Sequence, residues 1–161
     1  MPTGEQIRKG LGLPPVSQLC IVVKDVEKAC KHFESTLGAG PFHIYEISPD
    51  KSWYREKLTP VKLRIAKAQW NNLELEVTTL LEGKCPYLEF TKRCGEGIQH
   101  FGFDVPDYDQ AYKKFAEAGF KPIWRVESYY PAYNGQLKAC CFDTDKVGGI
   151  VFEILWRSWK R

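Results

Sequence analysis

The chain repeats itself at an interval of 82 residues. The segment VKDVEKACKHF (23–33) aligns without a gap with VPDYDQAYKKF (105–115), and five of the eleven aligned positions are identical. The physical roles are repeated as well, because in both copies a strand-like segment leads to an aspartate and then to apolar residues at helical spacing. A duplicated unit that is too small to bury its own core predicts two similar modules packed against each other.

Each copy is predicted to be a βαβββ unit. Asp25 and Asp107 are placed to cap the two helices, since an aspartate carboxylate accepts hydrogen bonds from the unpaired N–H groups of a first helical turn. Segments with strand character follow each helix. They are 42–47, 61–69 and 72–80 in the first copy, and 121–128, 136–144 and 148–156 in the second.

The repeat also defines the expected domain organisation. We expect an α+β fold in which the modules 16–82 and 97–158 form a single domain, 16–161, and share one concavity. Residues 1–15 are interpreted as an N-terminal arm, and a linker at about 83–96 joins the modules.

Composition excludes several classes of function. The net charge of +3 is small and no run of Lys and Arg is long enough to follow a phosphate backbone, so no nucleic-acid partner is expected. No stretch of about 20 apolar residues is present, so no membrane partner is expected either. The six cysteines include no CxxC pair, and the first residues lack the apolar core of a signal peptide. We therefore expect a cytoplasmic protein whose cysteines are reduced and mostly buried.

One histidine stands inside a predicted strand, in GEGIQHFGFDVPD (95–107). Strand alternation puts Phe101 and Phe103 on the face that meets the helix, and His100 on the opposite face. The 82-residue interval relates His100 to Gln18, which takes the same position in the first module. Gln99 falls on the other face and is predicted to lie outside any site.

The last strand of each module carries glutamates on the same face. Glu74 and Glu76 alternate with apolar residues in NLELEVTTL, and Glu153 is a lone carboxylate within GIVFEILW. Burying such a charge without a partner costs several kcal/mol, so a cation or a hydrogen bond is expected there. Taken singly, each of these residues also fits a solvated or structural strand position. Together with Gln18 and His100, they could give a metal ion oxygen and nitrogen ligands.

Four segments of the chain resemble the vicinal oxygen chelate superfamily, which includes the glyoxalases, bleomycin-resistance proteins and extradiol dioxygenases. They are QLCIVVKDVEKACKHFESTLG, LELEVTTLLEG, GEGIQHFGFDVPD and GGIVFEILW, and the resemblance covers roughly residues 16–157. Within this superfamily, the four segments most resemble those of methylmalonyl-CoA epimerase and glyoxalase I. The resemblance implies two βαβββ modules that form a U-shaped mixed sheet around a shared metal and substrate cavity, with the helices outside, and it implies a homodimer.

The resemblance also implies a ligand set and a chemistry. Gln18, Glu76, His100 and Glu153 match the ligand positions for one divalent ion, which would be Zn, Co, Ni, Mn or Mg. The motif favours Glu76 over Glu74. The implied reaction is an isomerisation, epimerisation or lyase step that transfers a proton next to a carbonyl through a metal-stabilised enediolate. Glu153 is the first candidate for the base and Glu76 the second.

The expected partner is a small-molecule substrate, an acyl-CoA or a 2-oxo or malonyl-type acid. Arg64, Trp53 and Tyr130 are candidate substrate-binding residues, the last two from the aromatic segments 51–58 and 127–135. Those segments fit a wall over the substrate as well as cover for a loop or a dimer face, and Arg64 also fits an ordinary exposed strand residue. Two further alternatives stay open: a glyoxalase-like lyase on another substrate, and a non-catalytic binding or resistance protein of the same fold.

Overall fold

The computed structural model describes residues 10–160. Its three helices are α1 (Val26–Leu37), α2 (Pro86–Cys94) and α3 (Tyr108–Glu117). Its ten strands are β1 (Gln18–Val22), β2 (His43–Ile47), β3 (Lys51–Tyr54), β4 (Lys57–Leu58), β5 (Lys62–Trp70), β6 (Leu73–Glu82), β7 (Gly97–Asp104), β8 (Pro122–Tyr130), β9 (Gly135–Phe142) and β10 (Val151–Arg157). The predicted helix and strand segments are present in both halves of the chain.

The two repeated helices begin as the sequence predicts. The carboxylate of Asp25 accepts a hydrogen bond from the backbone N–H of Lys28 at 2.9 Å, and Asp107 accepts from Gln110 at the same distance. Helix α1 ends at Gly38, whose φ of 64° is the left-handed conformation that favours glycine. The start signals in the sequence are therefore confirmed in both modules.

All ten strands belong to one mixed sheet, in the order β2-β5-β6-β1-β7-β10-β9-β8-β3-β4. The centre is the antiparallel pair of β1 and β7, the first strands of the two modules. Each of them pairs on its other side with the last strand of its own module, in parallel: β1 with β6, and β7 with β10. This arrangement repeats across the centre and confirms the α+β fold of two related modules.

The sheet is curled so that its two ends approach each other. Strand β2 lies at one edge, and the β3–β4 hairpin lies at the other, where β3 pairs with β8 of the second module. Only residues 48–50 connect β2 to β3, and four Cα steps span at most about 14 Å. The two edges of a ten-stranded sheet can be this close only when the sheet bends into a nearly closed half-barrel.

The hairpin and helix α2 are features that the sequence analysis did not place. The segment 51–58 was expected to form a wall or cover, and 83–96 a linker. The short strands β3 and β4 instead extend the sheet of the opposite module, and a nine-residue helix begins at Pro86 within the linker. Proline fits the first turn of a helix because its missing N–H would be unpaired there anyway.

The helices cover the outer face of the sheet, and apolar residues from both modules fill much of the inner face. Val77 packs with Cys30 of α1, and Phe103 packs with Phe115 of α3. The inner cluster contains Leu63 from β5 and Trp124 from β8, together with Tyr87 of α2. Helix α2 therefore closes part of the concavity.

The structure bears on two expectations drawn from composition, one about membrane spans and one about the cysteines. Among the described residues, no helix is long and apolar enough to cross a membrane. All six cysteines lie in the described part of the chain and are free thiols, and five of them are buried.

Candidate metal and substrate site

Four adjacent strands at the centre of the sheet, β6, β1, β7 and β10, form the base of the concavity. Two rows of residues cross these strands. In the first row the register pairs Cys20 with Glu76 on one side and with His100 on the other. In the second row Gln18 pairs with Gly102, which in turn pairs with Glu153. Paired residues project to the same face, so all these side chains reach the same surface of the sheet, which we call the floor.

The floor brings the four predicted ligand residues together. Gln18 Oε1 lies 3.3 Å from His100 Nε2, and His100 Nε2 lies 3.0 Å from Glu153 Oε2. Gln18 Nε2 lies 3.4 Å from Glu76 Oε2. All four side chains are buried. Two ligands held at right angles, each about 2.1 Å from one ion, are about 3 Å apart, so the first two distances fit a shared cation.

Gly102 makes room for this arrangement. A Cβ atom at this position would lie 2.8 Å from Cβ of Gln18 and 2.9 Å from Cδ1 of Leu155. Atoms in contact do not approach so closely, so any larger residue would push Gln18 away from His100. The glycine is thus a steric condition for the placement of the glutamine amide.

Gln99 fixes the orientation of the His100 ring. Its amide oxygen lies 2.7 Å from His100 Nδ1, and its side chain is buried. The prediction that Gln99 lies outside the site is therefore wrong. An amide oxygen only accepts hydrogen bonds, so Nδ1 carries the proton and donates it to this contact. In the neutral ring the lone pair is then on Nε2, which faces the floor and is free to bind a cation.

The atoms that face each other across the floor require a positive charge between them. Gln18 donates its amide N–H to Glu74 Oε1 at 2.7 Å, which turns its amide oxygen toward His100 Nε2. That oxygen, the Nε2 lone pair and the Glu153 carboxylate are three acceptors at one point, and they repel each other unless a proton or a metal ion lies among them. This donor set fits a divalent ion.

The attraction between His100 and Glu153 also determines how these two residues ionise. Burial by itself would lower the pKa of His100 and raise the pKa of Glu153. The attraction between the imidazolium and the carboxylate is stronger, so the pKa of His100 is raised and the pKa of Glu153 is lowered. In the metal-free protein, a proton on His100 therefore supplies the positive charge that the floor requires.

Lys67 of β5 also reaches the floor, and the sequence analysis missed it. Its Nζ lies 3.2 Å from Glu76 Oε2 and 3.3 Å from Glu74 Oε1. Burial disfavours the ammonium form, but the two carboxylates outweigh burial and raise the pKa of Lys67. Its position next to Leu63 and Ile65 in the alternation of β5 was the available signal, because these residues share the inner face.

Two thiols border the ligand residues. Atoms of Cys20, Glu76 and His100 lie within 4.8 Å of one another, so these three residues form a group that could hold a metal ion. The Cys141 thiol lies 3.5 Å from Glu153 Oε1. Burial, followed by the nearby carboxylates, raises the pKa of both thiols. The sequence predicted reduced and mostly buried cysteines and no role for Cys20 in the site, although Cys20 follows Gln18 by two residues and so shares its face.

Two cavities open from the floor. A floor cavity of about 50 Å³ has Lys67, Glu76 and Glu153 as its charged lining, with apolar walls from both modules. An outer cavity of about 510 Å³ shares Lys67 and Tyr130 with it. A larger cavity of about 700 Å³ next to α2 contains none of the predicted ligand residues, so its size does not connect it with the chemistry of the floor. The outer cavity is lined by His43, Tyr45, Lys67, Glu74, Tyr129, Tyr130 and Tyr133, among others.

The three predicted substrate-binding residues lie in different places. Tyr130 lines the route from the outer cavity to the floor. Arg64 lies on the helix-covered face, where its Nε donates a hydrogen bond to Glu27 of α1 at 2.8 Å. Trp53 stacks against the guanidinium of Arg125, 4.9 Å from the ring centre, opposite to the inner face that Trp124 occupies. The structure thus brings one of the three to the cavity.

The sequence and fold of the chain both have known counterparts. Residues 17–140 match the family described as the Glyoxalase/Bleomycin resistance protein/Dioxygenase superfamily. No sequence among curated proteins matches the chain.

Several solved structures have a similar fold. The methylmalonyl-CoA epimerase of Mycobacterium tuberculosis superposes with a TM-score of 0.65 at 17% identity, over 89% of this chain and 88% of the epimerase. A variant of the Streptomyces coelicolor methylmalonyl-CoA epimerase, in complex with 2-nitronate-propionyl-CoA, gives 0.63 at 14%, over 91% and 99%. A variant of 4-hydroxymandelate synthase from the same organism gives 0.64 at 11%, over 92% of this chain and 49% of the synthase. At these identities, the likeness is one of fold.

Proposed function

The chain belongs to the Glyoxalase/Bleomycin resistance protein/Dioxygenase superfamily, and we propose that it is an enzyme that uses a divalent metal ion to move a proton next to a carbonyl group. The observation that carries this proposal is the convergence of three acceptors on one point of the floor. They are Gln18 Oε1, His100 Nε2 and Glu153 Oε2, and the Nε2 atom lies 3.3 Å from the first oxygen and 3.0 Å from the second. An epimerase or isomerase reaction is our first choice, and a lyase reaction is the second.

The floor residues would hold the ion and carry the proton. Gln18, Glu76, His100 and Glu153 would be its ligands, and a bound divalent ion supplies Lewis-acid polarisation of the substrate carbonyl. Glu153 is our candidate for the base, since its carboxylate lines the floor cavity among apolar walls. Glu76 is the second candidate, because its Oε2 is already in contact with the ammonium group of Lys67, 3.2 Å away.

The shape of the cavities favours a substrate with a small reacting end and a longer body. The floor cavity of about 50 Å³ fits a few atoms, and the outer cavity of about 510 Å³ fits a larger group. The epimerases with this fold include one solved with methylmalonyl-CoA. We therefore propose an acyl-CoA, or a related 2-oxo or malonyl-type acid, as the substrate of a homodimeric, cytoplasmic enzyme.

A second candidate is a non-catalytic protein that binds a small molecule in the outer cavity. The observation that favours it is the aromatic lining by Tyr45, Tyr129, Tyr130 and Tyr133, which needs no metal to bind an apolar ligand. Such a protein would bind its ligand equally well with and without a divalent ion. A glyoxalase-like lyase that acts on another substrate would require the ion.

Metal analysis and isotope exchange test the proposal. The purified protein is expected to contain about one divalent ion per chain, and the metal-loaded protein to exchange the α-proton of methylmalonyl-CoA with solvent deuterium. Glu153→Gln keeps an oxygen ligand but accepts no proton, so it should retain the ion and lose the exchange. Glu117→Gln, on the exposed side of α3, is the matched control and should retain both.

The possible results separate the candidates. Protein that contains no ion, and whose melting temperature no divalent ion changes, would exclude metal-dependent chemistry. Bound metal without deuterium exchange would exclude methylmalonyl-CoA as the substrate and leave a reaction on another acid, including the lyase reaction.

A further inference from the structure

Cys20 is the central residue of the first row of the floor. On one side its Cα pairs with that of Glu76, and on the other with that of His100. Cys20 is the last residue of β1 before the register with β7 shifts, and its two cross-strand partners are a carboxylate and an imidazole that are predicted ligands. Its Sγ and the ligand atoms of those two residues lie within 4.8 Å of one another, and all three side chains are buried.

The surroundings of Cys20 differ from those of an ordinary core cysteine. A core cysteine packs against apolar groups, whereas Cys20 has two ionisable residues as cross-strand neighbours and a third polar contact, at 3.8 Å, with the Tyr87 hydroxyl. In the second module the equivalent position is Gly102, 82 residues further on, which has no side chain at all. At this register position, the first module provides a thiol and the second provides no side chain.

We propose that Cys20 is a further ligand of the metal site, and that its sulfur makes the site select Zn²⁺ or Co²⁺ over Mg²⁺ or Mn²⁺. The inference rests on the metal site of the proposed function. Thiolate and imidazole suit zinc and cobalt, whereas magnesium and manganese prefer oxygen ligands. A set that contains Cys20, His100 and Glu76 therefore has a softer character than one built from glutamine, glutamate and histidine alone.

Binding of the ion by Cys20 removes the proton of its thiol. The S–H bond of Cys20 breaks, the proton leaves to solvent, and the sulfur electron pair forms the bond to the ion. The hydroxyl of Tyr87, which is close enough to contact the sulfur, can then turn and donate its proton to the thiolate. Such an outer hydrogen bond stabilises a metal-bound thiolate, and it gives the buried tyrosine hydroxyl a partner in both states.

Cobalt spectroscopy on the full chain tests the inference. Co²⁺ is titrated into metal-free protein without oxygen and with a phosphine reductant. A thiolate ligand gives a sulfur-to-cobalt charge-transfer band in the near ultraviolet, in addition to the visible bands of any bound Co²⁺. We expect both in the wild type. Cys20→Ser should lose the charge-transfer band and keep the visible bands. Cys141→Ser, which removes the other thiol next to the ligand residues, should keep both.

Affinity measurements provide a second readout. Competition with a chelating indicator should show that Cys20→Ser loses more than about 100-fold in affinity for Zn²⁺, more than an outer contact contributes, and little in affinity for Mg²⁺. Visible bands without the charge-transfer band in the wild type would overturn the role of Cys20 and leave the proposed metal site intact. Loss of the band in Cys141→Ser would also overturn it. No bound Co²⁺ at all would overturn both proposals.

If Cys20→Ser does not fold, the wild type and Cys141→Ser still decide the question. The charge-transfer band in both of these proteins would assign the sulfur to Cys20, since among the described residues Cys20 and Cys141 are the thiols that contact the ligand residues. Its absence in the wild type would reject the assignment.

Discussion

The two modules supply equivalent strand positions to the floor but fill them with different residues. The first module presents an amide, a thiol, an ammonium group and two carboxylates, while the second presents an imidazole, a glycine, a thiol, an apolar residue and one carboxylate. The pairs that the register makes equivalent are Gln18 and His100, Cys20 and Gly102, Lys67 and Cys141, Glu74 and Val151, and Glu76 and Glu153.

This difference shows which features the duplication fixed and which ones diverged. Strand pairing and helix caps are repeated, because the fold of each half depends on them, and the four predicted ligand residues also occupy equivalent positions. Charge is not repeated. The first module carries the excess of polar groups around the outer cavity, and the second carries the histidine whose ring Gln99 orients. The two modules therefore have the same backbone arrangement but contribute different functional groups to the site.

Exchanging the first pair should have the largest effect. His100→Gln gives both modules a glutamine and replaces an imidazole with a weakly binding amide, so the affinity for Zn²⁺ should fall by more than about 100-fold. Gln18→His gives both modules a histidine and should raise the affinity by about tenfold. Competition with a chelating indicator measures both. Equal affinities in the two variants would contradict the division of roles between the modules.

Filling the glycine of the second pair should destabilise the fold. Gly102→Ala places a Cβ 2.8 Å from Cβ of Gln18 and should lower the free energy of unfolding by about 1–3 kcal/mol, as overpacking typically does. Urea unfolding of the metal-free protein measures it. Cys20→Ala, at the equivalent position, is the control and should cost about 1 kcal/mol, because it only removes a small buried group. A neutral effect of Gly102→Ala would show that Gln18 moves freely.

Removing the ammonium group of the first module should strengthen metal binding. Lys67 competes with a cation for Glu76, 3.2 Å away, so Lys67→Met should raise the affinity for Zn²⁺ by about tenfold, or about 1.4 kcal/mol. Lys62→Met is the matched control, since Lys62 pairs with Glu46 at the exposed edge of the sheet and should leave the affinity unchanged. Weaker binding in Lys67→Met would mean that the lysine orients Glu76 for the ion.

The two helix caps should have the smallest effects, and these should be equal. Asp25→Ala and Asp107→Ala each remove a capping hydrogen bond of 2.9 Å. Each should lower the free energy of unfolding by about 1 kcal/mol. The double variant should show the sum, because the caps belong to different modules. Asp25→Asn and Asp107→Asn keep a capping side chain and should behave like the wild type. Unequal losses would reveal that one module is the less stable half.

Several features of the site could be predicted from sequence because they depend on local periodicity. Strand alternation placed His100 opposite the helix-packed Phe103, and the 82-residue interval related it to Gln18. That these two residues are metal ligands, together with Glu76 and Glu153, stays a prediction. Arg64 shows the limit of this reasoning, because alternation separates it from Leu63 and Ile65 but does not show which face of β5 a helix covers.

Long-range pairing decided the rest. Glu74 and Glu76 share a face, so strand alternation does not distinguish them, and the register adds that Glu76 lies beside Cys20 in the way that Glu153 lies beside Gly102. The thiol of Cys20 entered the site for the same reason.

The sequence by itself determined two modules, their helix starts and the faces of their strands, because each of these depends on residues a few positions apart. Only the tertiary structure decided which strands are neighbours, where the β3–β4 hairpin adds to the sheet, and that Cys20 and Lys67 both lie next to Glu76. The reason is that cross-strand register is set by packing over the whole curled sheet, and a local pattern does not encode it.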